Sequence, residues 1–300
     1  MLLTHQIAGI TIRTESDTLR PYLEQNPFKQ FRVGNTEPEV CFRFRTVDPG
    51  SLTMPPLSRQ EIERLSYCLY YPHEGWKSSL LRSPMVRARL QACLNQPEQV
   101  SLELRHSTVT FFDFARRRLD FFYTPDQGET LANCYVGPSI LAPFLPTFSA
   151  AMVHCSGLVR NHAAALFLAP DEGGKTTVVR QSTTGTVLCD DQIILRKEGD
   201  VFMTHGTPWG LMTSTSQQTR VGAFFLLEQA KRFELMPIKP VAALDYLWNE
   251  HLGYRIFLPR KLRIRAFEIL SEVCHQAPVY RMRFPKDYVD WDAIDAALVT

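Results

Sequence analysis

At 300 residues the chain is long enough for one or two domains with a real hydrophobic core, and 45% hydrophobic with 21% charged residues is an ordinary soluble composition. The formal net charge is +2, and both signs are spread along the chain. No basic stripe stands out beyond Arg116-Arg117-Arg118, so nucleic acid is not an expected partner.

No apolar run reaches the roughly 18 residues that a membrane span needs, so no membrane association is expected. The start, Met1-Leu-Leu-Thr-His-Gln, has neither a basic region nor a long apolar run. It does not read as a signal peptide, and the cytoplasm is the expected compartment. The seven cysteines, Cys41, Cys68, Cys93, Cys134, Cys155, Cys189 and Cys274, are widely spaced and include no Cys-x-x-Cys pair. They read as free thiols of a reducing compartment, and their spacing gives no zinc site.

In chain order, Gln6 to Arg13 predicts a strand. Cys41 to Val47 alternates apolar and polar residues, as a half-buried strand does. Ser58-Arg-Gln-Glu61 has the form of a capping box, opening a helix that runs to about Tyr70. Ser83-Pro84 starts a second helix, with proline at its first position. Three strands are expected at Val100–Arg105, Thr108–Phe114 and Leu119–Tyr123, with the arginine triplet as the turn between the last two. Pro138 to Ala150 reads as a helix or a broken helical connector.

Beyond about Val153 the pattern changes. Ala163–Leu168 is a short, wholly apolar run, as expected of a strand covered on both faces. It leads into Asp171-Glu-Gly-Gly174. A helix is predicted over Lys175–Gln181, ended by Thr184-Gly185, and a strand over Thr186–Cys189. Glu198-Gly-Asp200 between two strand-like runs is a hairpin signal. Val221–Leu227 is a further buried strand. Helices open at Pro240 and Pro259, Val279–Phe284 alternates like a strand, and a short helix closes the chain.

The order apolar strand, glycine turn, Gly174-Lys175-Thr176, helix is the context that a phosphate-binding loop requires. Gly173 and Gly174 let backbone N–H groups approach phosphate oxygens. Lys175 supplies a charge to the outer phosphates, and the Thr176 hydroxyl, followed by Thr177, can reach Mg²⁺. The pattern asks for glycine at position 169, where this chain has alanine; alanine suits the loop if its φ stays negative. Asp190-Asp191 follows the next strand. Adjacent residues there point in opposite directions, so one carboxylate can hold Mg²⁺ while the other accepts a proton from a hydroxyl. The same pair also reads as a plain turn. His154 and His162 precede the loop. His205-Gly-Thr-Pro-Trp-Gly210 reads either as a packed turn or as a loop that closes over a ligand.

These segments, from about Val153 to Leu247, resemble the HPr kinase/phosphorylase family, whose nucleotide-binding core is similar to that of phosphoenolpyruvate carboxykinase. The resemblance is carried by Val153-His154, Ala163–Leu168, the loop through Thr177, Leu188-Cys-Asp-Asp191, Gly206-Thr-Pro-Trp209 and Phe225-Leu-Leu-Glu228. It implies an α/β (α+β) protein with two parts. Residues 136–300 would form a P-loop kinase core with a mixed sheet, and residues 1–135 a smaller mixed strand–helix accessory or substrate domain.

It further implies ATP and Mg²⁺ as cofactors, with Gly173, Gly174, Lys175, Thr176 and Thr177 on the nucleotide and Thr176 and Asp190 on the metal. Asp191 would activate the acceptor hydroxyl, and His154, rather than His162, would stand near the transferred phosphate. Arg220 is a further phosphate-facing candidate. Glu172 stands where the family usually has glycine. The implied activity is phosphoryl transfer from ATP to a serine hydroxyl of a protein or peptide, and the resemblance allows a homo-oligomer. A small-molecule alcohol kinase on the same core, or a nucleotide-binding regulator without turnover, are the alternative readings.

Overall fold

The structure, a computed structural model, describes residues 2–16, 19, 23–25, 27–34, 36–65, 69–70, 78–95, 100–104, 108–125, 138–210, 213–251, 255 and 258–299. The chain separates into two compact units, Met1–Phe144 with Tyr254–Arg263, and Leu145–Gly253 with Ile264–Thr300. The boundary expected at 135/136 falls within residues 126–137, outside the described residues. Each unit carries a sheet that mixes parallel and antiparallel pairs together with helices, so the α/β (α+β) class holds for both. Among the described residues no helix is long and apolar enough to cross a membrane.

Among the described residues the first unit has seven strands: β1 (Leu2–Ile7), β2 (Ile10–Glu15), β3 (Val40–Thr46), β4 (Leu69–Tyr70), β5 (Val100–Leu104), β6 (Thr108–Asp113) and β7 (Arg118–Tyr123). Their order is β1-β2-β3-β7-β6-β5-β4. The strand expected over Gln6–Arg13 is instead the middle of a hairpin. Ala8 and Gly9 form its two-residue turn with φ of 52° and 72°, the pair of positive angles that a tight hairpin matching the strand twist needs. Alanine is an uncommon choice there, so the sequence does not announce the turn.

The capping box forms. Ser58 N and Oγ donate to Glu61 Oε2 at 2.7 and 2.8 Å, and Glu61 N donates to Ser58 Oγ at 3.3 Å. The helix, Arg59–Leu65, stops short of Tyr70, because Leu69–Tyr70 pairs with β5 instead. Helix Pro84–Leu94 packs Val86 and Leu90 against Leu102, Val109, Phe111 and Phe122. The arginine turn lies where expected, and its side chains are engaged. Arg116 and Arg118 pair with Asp113 and Asp120, which Arg89 also binds at 3.0 and 2.7 Å.

The second unit adds β8 (Ala150–His154), β9 (Ser156–Arg160), β10 (Ala163–Leu168), β11 (Thr186–Cys189), β12 (Gln192–Glu198), β13 (Val201–His205), β14 (Gln218–Gln229), β15 (Glu234–Pro237) and β16 (Val279–Phe284). The order is β11-β9-β10-β14-β13-β12-β8, with β16 pairing the later part of β14 and β15 pairing β16. The apolar run of β10 lies parallel to β14 and is fully buried. Val178 and Val179 of helix Lys175–Gln181, and Ile294, Ala297 and Leu298 of helix Trp291–Val299, share a core with Phe167 and Phe225.

One feature of this order positions the site. β11 and β12 stand five strands apart, a separation of about 24 Å in a flat sheet. Only Asp190 and Asp191 join them, and three Cα steps span at most about 11 Å. The sheet therefore curls until its β11 edge approaches β12 at the aspartate pair. Gly157 of β9 lies so close to Ile193 of β12 that a Cβ there would sit 2.9 Å from its Cδ1.

Candidate active site

The loop between β10 and the helix Lys175–Gln181 is wound by left-handed residues. Glu172 has φ of 62° and Gly174 of 101°. Gly173 N donates to Pro170 O at 3.0 Å, closing a tight turn. A Cβ on Gly173 would lie 2.6 Å from the Ala169 Cβ, so the missing side chain at 173 makes room for the methyl group at 169. Ala169 is not among the positive-φ residues, so alanine in place of the first glycine is unstrained. Gly174 is required twice over, by its φ and by the Phe284 ring, which would meet a Cβ at 2.9 Å. Glu172, by contrast, carries a side chain in a conformation that favours glycine.

Lys175 turns inward. Its side chain is 8% exposed, and Nζ donates to Ala169 O at 2.8 Å and Pro170 O at 3.2 Å. An ammonium has three N–H groups, so one is left for another acceptor. Burial holds its proton affinity below that of an ordinary lysine, and the negative charges of Asp171 and Asp191 oppose that shift. The thiols Cys155 and Cys189 are buried, and burial pushes both above the usual thiol range.

The two aspartates diverge, although they lie in the connection between β11 and β12 and not, as expected from the sequence, in a strand. Asp190 is buried. Its backbone oxygen accepts the Ser156 hydroxyl at 2.8 Å, and its Oδ1 accepts the Thr213 amide at 3.4 Å. Asp191 turns to β8, where His154 Nε2 stands 2.8 Å from its Oδ1. The register explains the meeting, since Gln192 is the direct partner of His154 in the β12–β8 ladder.

Residues 206–210 and 213–215 prove to be a brace for Asp190. Gly206 N donates to Gln217 O, Thr215 N to Leu188 O, and Gly210 N to Ser214 Oγ. A Cβ on Gly206 would lie 2.0 Å from Thr215 O, and one on Gly210 2.9 Å from Asp190 Oδ1. The two glycines are thus set by close backbone approach. Trp209 is half-buried and does not line the cavity described next. Ser156 and Thr213 carried no local sequence signal, because each acts through a long-range contact with Asp190.

Eight of the candidates from the sequence, His154, Gly173, Gly174, Lys175, Thr176, Thr177, Asp190 and Asp191, line one cavity of about 190 Å³, completed by Pro170, Asp171 and Glu172. His162 is not among them. It is exposed, with φ of 62°, in the two-residue turn that joins β9 to β10. Arg220 is also outside, opposite Ala163 at the start of β10, whereas the loop follows Leu168 at its end.

The donors suit a hard cation held only partly by protein. Thr176 and Asp190 offer oxygen ligands, and among the described residues no group of three or more His, Cys, Asp or Glu side chains is arranged to hold a metal by itself. Mg²⁺ is commonly bound in that way, through one or two protein oxygens and substrate phosphates.

Against known proteins, no family matches the sequence, and no curated protein matches it. Among solved structures, it is similar to the Hpr(Ser) kinase/phosphatase from Coxiella burnetii, with 14% sequence identity and a TM-score of 0.25, over 49% of this chain and 93% of that one. Likeness at that level is too low to transfer geometry or activity.

Proposed function

We propose that this chain is an ATP-dependent kinase that transfers the γ-phosphoryl group to a serine hydroxyl of a protein or peptide. One arrangement supports the reading most: a buried lysine ammonium, a histidine–aspartate pair and a second, braced aspartate face the same cavity at the end of a buried strand. A cavity of about 190 Å³ suits a phosphate chain, whereas whole-ligand sites run to about 300–1,000 Å³, so the nucleoside would lie at the mouth.

ATP bound with Mg²⁺ would supply the phosphoryl group and the positive charge that meets Thr176 and Asp190. Lys175 turns its remaining N–H toward the phosphate oxygens. Asp191 takes the hydroxyl proton as the serine oxygen bonds to phosphorus and the bond to the ADP oxygen breaks. His154 fixes the Asp191 carboxylate at 2.8 Å, so that one oxygen is already oriented.

The test is a transfer assay with γ-labelled ATP, Mg²⁺ and two acceptor sets, serine-containing peptides and free hydroxy amino acids. The expected result is label on peptide serine, lost in Asp191→Asn. Label on the free alcohols alone would favour a small-molecule kinase. Binding without turnover on either set would favour a regulator.

A further inference from the structure

The loop carries two charged side chains that the proposed mechanism does not use, Asp171 and Glu172, and of these Asp171 approaches the groups that would meet phosphate. Asp171 Oδ1 stands 3.9 Å from His154 Nε2 and 3.9 Å from Lys175 Nζ. It is thus the acidic group that spans the two cationic or hydrogen-bonding groups of the cavity. Its side chain is 89% exposed, so little packing holds it there and little resists its displacement. Lys175 has given two of its N–H groups to loop carbonyls, and Asp171 is the carboxylate within ion-pair reach of its ammonium.

The rest of the cavity has the same sign. Asp171, Glu172, Asp190 and Asp191 face one lysine and one histidine. A phosphate oxygen that reaches Lys175 must enter the space in front of Asp171 and lie among these carboxylates. Like charges at such separations repel, and more strongly where water is partly excluded. A divalent cation arriving with the phosphates reverses the balance, because it brings positive charge to Asp190 and Asp191.

We infer that Asp171 is an internal stand-in for phosphate that selects the ligand's charge state: it turns away metal-free polyphosphate and yields to polyphosphate complexed with a divalent cation. The inference rests on the cavity being the phosphate site of the proposed kinase. It assigns Asp171 a specificity role distinct from that of the residues that hold the phosphates.

The experiment is calorimetric titration of the full chain and its Asp171→Asn variant with tripolyphosphate in EDTA, and separately with ATP and Mg²⁺. The variant removes the charge and keeps the shape, and equal melting temperatures confirm an intact fold. The expected result is a gain of about tenfold in affinity of the variant for metal-free tripolyphosphate, with a smaller gain for ATP–Mg²⁺. Unchanged or weaker tripolyphosphate binding by the variant, alongside normal ATP–Mg²⁺ binding by the parent, overturns the stand-in role and leaves the kinase reading in place. Failure of the parent to bind ATP–Mg²⁺ at all overturns both.

Discussion

His154 Nε2 meets Asp191 Oδ1 at 2.8 Å because β8 and β12 pair with Gln192 directly opposite His154. Two residues remote in sequence are thus fixed by one ladder. Gln192 Nε2 reaches the other Asp191 oxygen at 3.4 Å. The carboxylate is held from both sides, which suits a group that must present one lone pair in a set direction.

This geometry makes His154 a positioning residue for Asp191. His154→Ala should lower the turnover number by about 10- to 100-fold and leave nucleotide affinity nearly unchanged. His154→Gln, whose amide can still reach the carboxylate, should recover part of the loss. Parallel losses in affinity and turnover, with no recovery by glutamine, would place His154 on the phosphate instead.

The loop makes opposite predictions at neighbouring positions. Glu172→Gly relieves a side chain held at φ of 62° and should raise stability by about 0.5–1 kcal/mol in urea unfolding. Gly174→Ala imposes strain at φ of 101° and a contact with Phe284, and should cost about 2 kcal/mol or more. If the two changes had the same sign, the left-handed winding of the loop would be wrong.

Arg160 is a clamp within the second unit. Its Nε and Nη2 each donate to Asp295 at 2.6 Å, its Nη1 to Thr184 Oγ1 at 2.6 Å, and its guanidinium lies 4.9 Å from the Trp291 ring centre. It ties the end of β9 to the last helix and to the segment after Lys175–Gln181. Arg160→Ala should cost about 2–4 kcal/mol in chemical denaturation, since it leaves a half-buried carboxylate without its partner. Arg160→Lys should recover little, because an ammonium cannot make the paired contact. A cost near zero would reduce the clamp to a surface ion pair.

Burial holds His5 and His205 below the ordinary histidine value of 6.5. The Leu23 carbonyl opposes that shift at His5, and Glu198 opposes it at His205. Below pH 6.5 the unfolded chain takes up protons that the folded chain refuses. Stability is therefore fully present above that value and falls as the pH drops through it toward the folded values, by up to about 1.4 kcal/mol per histidine per pH unit. Urea unfolding at pH 7.5 and 5.5 should show the drop, and His205→Gln should reduce it. A flat profile would contradict the burial of these rings.

Much of the site could be read locally. β10, the glycine turn, the helix Lys175–Gln181 and β11 lie where the apolar runs and glycines put them, because each is a contiguous pattern with a single physical cause. The turn at Glu198-Gly-Asp200 likewise announced itself through Gly199, whose φ is 62°. What escaped was set by distant contacts. Ala8 takes a turn conformation that its residue type rarely adopts, and Leu69–Tyr70 leaves the helical pattern to pair with β5. The curl of the second sheet depends on strand order, which no window of sequence contains. Gly206 and Gly210 look the same locally whether they serve a lid or a brace. Only the approach of Thr215 O and Asp190 Oδ1 tells them apart.

Calorimetric titration of ATP with Mg²⁺ into the full chain and its Lys175→Ala variant bears most directly on the central claim, that this cavity grips a triphosphate. Loss of the inward ammonium should weaken binding by about 100-fold or more, with the melting temperature little changed. Equal affinities in the two proteins would remove Lys175 from the site and contradict the kinase reading.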